Sequence, residues 1–164
     1  MSRRTVAINY FKEGYNCTQA VVLAFSDVLT VDPKELCKIA SPFGGGLSRM
    51  RETCGAVTGM VLVLGNLIGY DTPETGEKKH ELYKNIQELL KIFENRYGSL
   101  TCRVLLNLTQ KHDDPKPTPR DHSFFDKRPC PELIGGAAEI LENFLIERGI
   151  LKWKRKECLF RFCL

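Results

Sequence analysis

Apolar residues recur every three to four positions through most of the chain, and runs alternating with a period of two are absent, so the sequence predicts an all-α fold. A first helix is expected from Arg4 to Glu13, with Val6, Tyr10 and either Ile8 or Phe11 inward and Gly14 as its stop. Asn16 is a good N-cap, and Gln19 three residues on completes a capping box. Cys17, Ala20, Val21, Ala24, Phe25 and Val28 then form one apolar stripe. Asp32, Pro33 and Glu35 open a third helix that carries Leu36, Ile39 and Ala40, with Cys37 alongside, and ends before Pro42. A fourth runs from about Thr53 to Ile68. The longest, from about Glu77 to Tyr97, keeps its period through Leu82, Ile86, Leu89, Leu90, Phe93 and Tyr97 and is expected to be central to the core; Gly98 closes it. Ser99 caps a short helix with Cys102, Leu105 and Leu106. Thr109 to Arg128 is proline-rich, charged and aperiodic, which predicts a long surface loop. Cys130 and Pro131 then open a last helix, with Leu133, Ala137, Ile140, Leu141, Phe144 and Leu145 inward as far as Gly149. The expected architecture is a single compact helical domain of six to seven helices over residues 1–149, followed by a basic and apolar tail over 150–164.

The stretch from Gly44 to Leu67 joins a glycine run, Arg49, Arg51 and Cys54 to the opening turn of an apolar helix. Gly55, Ala56 and Gly59 make a side without bulk, while Val57, Val61 and Leu64 repeat on another. An interior glycine costs about 1 kcal/mol relative to alanine, so Gly55 and Gly59 point to a backbone approached closely, either by another helix or by an inorganic ligand.

With 164 residues and 43% hydrophobic content, the chain is the size of one domain with a real core. Twenty-four basic and 20 acidic residues leave a net charge of +4, with the signs interspersed outside the C-terminus, which is not a nucleic-acid signature. The N-terminus lacks the apolar run of a signal peptide, and Val57 to Ile68 falls short of the ~20 residues a membrane span needs, so no transmembrane segment and a cytoplasmic location are expected. The tail, with Cys158 and Cys163, mixes bulky apolar and basic residues. It is expected to pack on its own domain or on a second subunit, with a membrane-surface or partner-binding segment as the alternative, and a homodimer is expected from the apolar surface in excess of one small core.

Seven cysteines are too few for a disulfide-built miniprotein, and none forms a CxxC pair. Cys17, Cys54, Cys102 and Cys130 all fall in the first turn of an expected helix, where the helix dipole and unpaired N–H groups favour a thiolate or an anionic metal–sulfur group. Arg49, Arg51, Arg103 and Arg128 add positive charge nearby. Cys37, Cys158 and Cys163 lack this placement. Four thiolates from four helices could hold one tetrahedral zinc or an iron–sulfur cluster. His80, His112 and His122 sit among charged residues and are read as solvated, and the glycine run lacks the Lys-Ser or Lys-Thr of a phosphate loop.

Four contexts carry a resemblance: EGYNCTQAV around Cys17, FGGGLSRMRETCGAVTG around Cys54, YGSLTCRVLL around Cys102 and CPELIGGAAEIL around Cys130. Together, and in this order, they resemble the redox-active family named for four cysteines and a CGAxxG motif (C_GCAxxG_C_C). The resemblance covers about Val6 to Phe144 and implies a helical module in which Cys17, Cys54, Cys102 and Cys130 are the functional set. It also implies a two-iron two-sulfur cluster, with Gly55 and Gly59 beside it, serving electron transfer or redox sensing with an unidentified redox partner protein. Two alternatives stand beside it: a thiol–disulfide protein with Cys54 as a low-pKa attacking thiolate, and a zinc-stabilised structural or interaction module.

Overall fold

A computed structural model describes residues 1–73, 76–119, 124–125 and 128–152. Among these are seven helices: α1 (Arg3–Lys12), α2 (Cys17–Leu23), α3 (Pro33–Ala40), α4 (Gly55–Ile68), α5 (Gly76–Tyr97), α6 (Cys102–Leu105) and α7 (Cys130–Glu147), with one 3-10 turn at Ser41–Phe43. No strand occurs among the described residues; one isolated antiparallel bridge joins Thr53 to Thr101. The all-α expectation holds, with boundaries shifted by a residue or two at several helix ends. Helix α2, however, ends at Leu23, five residues short of the expected stripe to Val28, and the N-cap of α6 is Thr101, with Ser99 Oγ accepting from the Thr101 N–H.

The starts of these helices follow the local chemistry. Ser2 caps α1. Asn16 accepts from the N–H groups of Thr18 and Gln19, while the Gln19 side chain returns a bond to the Asn16 N–H, so the capping box is complete. Asp32 accepts from Lys34 and Glu35 ahead of Pro33. Glycines in the left-handed region stop α1 at Gly14, α5 at Gly98 and α7 at Gly149.

The centre of the core is not where the longest helix suggested. Helix α5 buries one stripe, Leu82, Asn85, Leu89 and Phe93, whereas α7 is buried along most of its length, from Cys130 through Leu133, Ile134 and Ile140 to Leu145. Small residues explain this. Gly135 lies against Ile8 and Arg4 of α1, and Gly136 against the Tyr97 ring of α5, so α7 is approached on two sides. Helix α2 packs across α4 and joins both to α7. Phe11, Phe25, Met60, Leu64, Leu89, Phe93, Ile134 and Leu141 are fully buried between them. Apolar burial of this kind contributes ~25 cal/mol per Å² removed from water.

Residues 109–119 form the irregular surface segment expected, with contacts the sequence did not show. Much of it is exposed, yet Phe124 and Phe125 pack on Phe11 with ring centroids 6.3 and 5.8 Å away, and the Asp113 N–H donates to the Arg49 carbonyl at 3.1 Å. Ile150 and Leu151 also pack on the core. The rest of the expected tail, with Cys158 and Cys163, lies outside the described residues, as does His122.

Candidate functional site

Cys17 is the first residue of α2, Cys102 of α6 and Cys130 of α7, and Cys54 is the N-cap of α4. The shared helix-start placement read from the sequence is therefore found at all four. Two backbone devices bring them together. After the 3-10 turn, Gly45, Gly46, Leu47, Ser48, Arg49 and Arg51 take positive φ values. This coil is closed by Ser48 N–H to Pro42 O at 2.8 Å and Glu52 N–H to Gly46 O at 3.0 Å. The Thr53–Thr101 bridge follows, with Cys54 N–H donating to Leu100 O at 2.8 Å and Cys102 N–H to Glu52 O at 2.6 Å. Cys54 and Cys102 are thus tied through their main chains.

The second device is the crossing of α4 on α2. A Cβ built on Gly55 would lie 2.9 Å from Cys17 Cβ and 2.8 Å from Thr18 Oγ1, and one on Gly59 would lie 2.7 Å from Val21 Cβ. Only glycine lets α4 sit this close. Both glycines serve the helix crossing, and Gly55 alone of the two also lines the cavity described next.

Cys17, Cys54, Cys102 and Cys130 line one cavity of about 310 Å³, the low end of the range for small-molecule sites. Arg49, Arg51 and Arg128 line it as well, with Phe11, Leu105, Leu106, Phe124 and Leu133 as apolar walls and Pro115, Pro117 and Thr118 along one side. Among the described residues, no three Cys, His, Asp or Glu side chains are grouped as ligands of a single metal ion. None of the described cysteines is in a disulfide.

Electrostatics at the site correct one expectation. The helix-start positions predicted thiolates, yet burial pushes the Cys54 thiol up to about 12, and the neighbouring Cys17 and Cys102 sulfurs add to it. The N–H groups of Ala56 and Val57 pull the other way without forming a cap hydrogen bond. Cys130 is raised by its hydrogen bond with Cys17, then by burial and by the other two sulfurs. Cys102 is raised by burial, with the Arg51 guanidinium opposing. Taking a charge out of water outweighs the half charge of a helix end, the more so for α6, which has only four residues. A low-pKa attacking thiolate at Cys54 is therefore not what this geometry makes.

Sequence reasoning named Arg51 only as a nearby charge and missed Asp113 altogether. Arg51 is 2% exposed. Its Nη1 donates to Cys102 Sγ at 3.8 Å and its Nη2 to Asp113 Oδ2. That guanidinium holds the Asp113 carboxyl down at about 2. Arg49 Nη2 donates to the same Asp113 oxygen at 3.0 Å. The Nε atoms of Arg49 and Arg51 are buried with no hydrogen-bond partner among the described atoms. Arg128 stacks on Phe124, 4.8 Å from the ring centroid. Arg103 instead pairs with Glu52 at 3.1 Å and does not line the cavity. Cys37, on α3, does not line it either, and His80 and His112 are exposed as expected.

As a donor set, four sulfurs around one cavity suit a thiophilic metal group, and the unpartnered arginine nitrogens suit a negative one. The family profile described as "Putative redox-active protein (C_GCAxxG_C_C)" matches residues 15–144, a span containing all four cysteines. No curated protein and no solved structure matches the chain.

Proposed function

The chain belongs to the C_GCAxxG_C_C family of redox-active proteins, and from that premise we propose that Cys17, Cys54, Cys102 and Cys130 hold an iron–sulfur cluster, of the two-iron two-sulfur type, for electron transfer or redox sensing. The observation that carries this reading is the convergence of four helix-start thiols on one arginine-lined cavity. When bound, such a group accepts or gives up a single electron.

Size and charge support it. A cavity of about 310 Å³ lined by four thiols has room for a group larger than one ion. Two ferric ions, two sulfides and four thiolates carry a net charge of −2, and Arg49, Arg51 and Arg128 exceed the single negative charge of Asp113 by as much. The raised thiol pKa values fit a site that becomes negative only when a metal displaces the thiol protons. Apolar side chains form part of the cavity wall, and the Arg51 N–H on Cys102 is the kind of contact that sets a cluster's potential.

The test is iron and acid-labile sulfide content, with the visible spectrum, of protein purified without oxygen. Stoichiometric iron and a coloured protein are expected, with both lost in Cys54→Ser and kept in Cys37→Ser. Colourless protein containing zinc would replace this reading with the zinc-stabilised module. A second reading has one observation of its own, the hydrogen bond between the Cys17 and Cys130 thiols. In metal-free protein that pair, rather than Cys54, would close a disulfide, giving two electrons and two protons to a disulfide oxidant. A Cys17–Cys130 linked peptide after treatment with oxidised glutathione, in protein that takes up no iron, would establish it. The homodimer and the cytoplasmic location remain part of the proposal; a mass near 18.6 kDa by light scattering across a wide concentration range would remove the dimer.

A further inference from the structure

Arg51 joins two parts of the chain that are distant in sequence. One end of its guanidinium donates to Cys102 Sγ at 3.8 Å, and the other meets Asp113. Asp113 belongs to the segment that runs along one side of the thiol cavity, where Pro115, Pro117 and Thr118 line it. Arg49 holds the same segment three ways: its Nη2 to Asp113 Oδ2 at 3.0 Å, its Nη1 to Thr118 Oγ1 at 3.0 Å, and its carbonyl to the Asp113 N–H at 3.1 Å.

Both arginines are presented by unusual backbone. Arg49 has φ 71° and Arg51 φ 60°, a region that costs a non-glycine residue on the order of 1 kcal/mol. The conformation is held by Arg51 N–H to Gly45 O at 3.3 Å and Arg103 N–H to Arg51 O at 3.1 Å. In this conformation both guanidiniums reach the one Asp113 carboxylate. The strain is retained where it builds a clasp.

We propose that Arg51 is a positioning residue that couples the charge on the thiol site to closure of the 109–119 segment over the cavity. The inference rests on the reading above that the four thiols hold a redox centre. One electron, delivered by an external one-electron donor such as dithionite, makes the sulfur side of Arg51 one unit more negative; no bond at Arg51 forms or breaks and no proton moves. The guanidinium is then drawn toward Cys102, its hold on Asp113 weakens, and the segment loosens. Oxidation reverses the shift.

The test pairs the midpoint potential, from an optical titration with dithionite, with hydrogen exchange of the 109–119 amides followed by mass spectrometry. Arg51→Gln removes a positive charge and a donor to sulfur, so the potential falls. Asp113→Asn removes the opposing negative charge, so the potential rises. Both should speed 109–119 exchange about tenfold or more, as loss of a charge-assisted hydrogen bond implies. Unmodified protein should exchange faster in this segment when reduced than when oxidised. Opposite potential shifts with redox-dependent exchange establish the coupling; shifts of the same sign, or exchange blind to redox state, overturn it while leaving the cluster in place. Protein that binds no iron would sink the cluster reading and the coupling together. Faster exchange of the metal-free Asp113→Asn variant would then still identify the clasp, and unchanged exchange would remove that too.

Discussion

Gly55 and Gly65 lie in the same helix and pose opposite problems. A methyl group on Gly55 would meet Thr18 Oγ1, Cys17 Cβ and the Phe43 carbonyl, the last a backbone atom at 3.2 Å, whereas nothing lies within 4 Å of a Cβ on Gly65. Gly55→Ala should therefore destabilise the protein by about 1–3 kcal/mol through overpacking and displace Cys17 from the cavity. Gly65→Ala should stabilise it by roughly 0.5–1 kcal/mol by restricting the unfolded chain. Urea unfolding of the two variants checks this; equal effects would mean that α4 is not held against α2 as described. The sequence marked Gly55 as a place of close approach because an interior glycine needs a reason. It could not say that the neighbours are the Cys17 and Thr18 side chains, since that depends on how two helices cross. Nor could it weigh desolvation against the helix dipole at the sulfurs, which is why thiolates were expected and raised thiols found.

Caps and periodicity made the elements legible, because both are local. Asn16 illustrates how an element's end positions a candidate ligand. Its Oδ1 satisfies two N–H groups of α2 at 3.0 Å each, and its Nδ2 ties α2 to the Ser41 carbonyl at 2.8 Å, with Cys17 the next residue. Asn16→Ala should cost about 1 kcal/mol, the usual cap value. It should also lower metal occupancy more than an equally destabilising change remote from the cavity, and thermal unfolding with metal analysis would show whether the two effects separate. What the sequence left out of two elements was a matter of range. Residues 109–119 are the irregular surface segment expected, but they are held by Asp113 meeting Arg49 and Arg51, partners some sixty residues away that no local pattern shows. Helix α5 drew attention by its 22-residue length, while the small residues Gly135 to Ala138, which let neighbours crowd α7, were the better sign of centrality.

At the scale of the molecule, the thiols add a pH term to stability. Cys54 has a folded pKa of about 12 against an ordinary 9.0, and Cys102 and Cys130 are raised as well. A group raised on folding contributes fully below its unfolded pKa and loses that contribution as pH climbs toward the folded value. Metal-free protein should therefore lose stability from about pH 9 upward, with a smaller loss in Cys54→Ser; urea midpoints across this range measure it, and a flat profile would mean the sulfurs are not buried.

The four sulfurs come from positions 17, 54, 102 and 130, so the cavity spans nearly the whole of the chain that carries the fold. Helices can form on their own contacts, but this space exists only after the longest loops have closed, and such contacts are the slow ones in folding. A chain still emerging from the ribosome has its first thiol early and its last only when α7 begins. The proposed centre would thus gain its last ligand only as α7 begins, and its occupancy would report that the segments from Cys17 to Cys130 have come together.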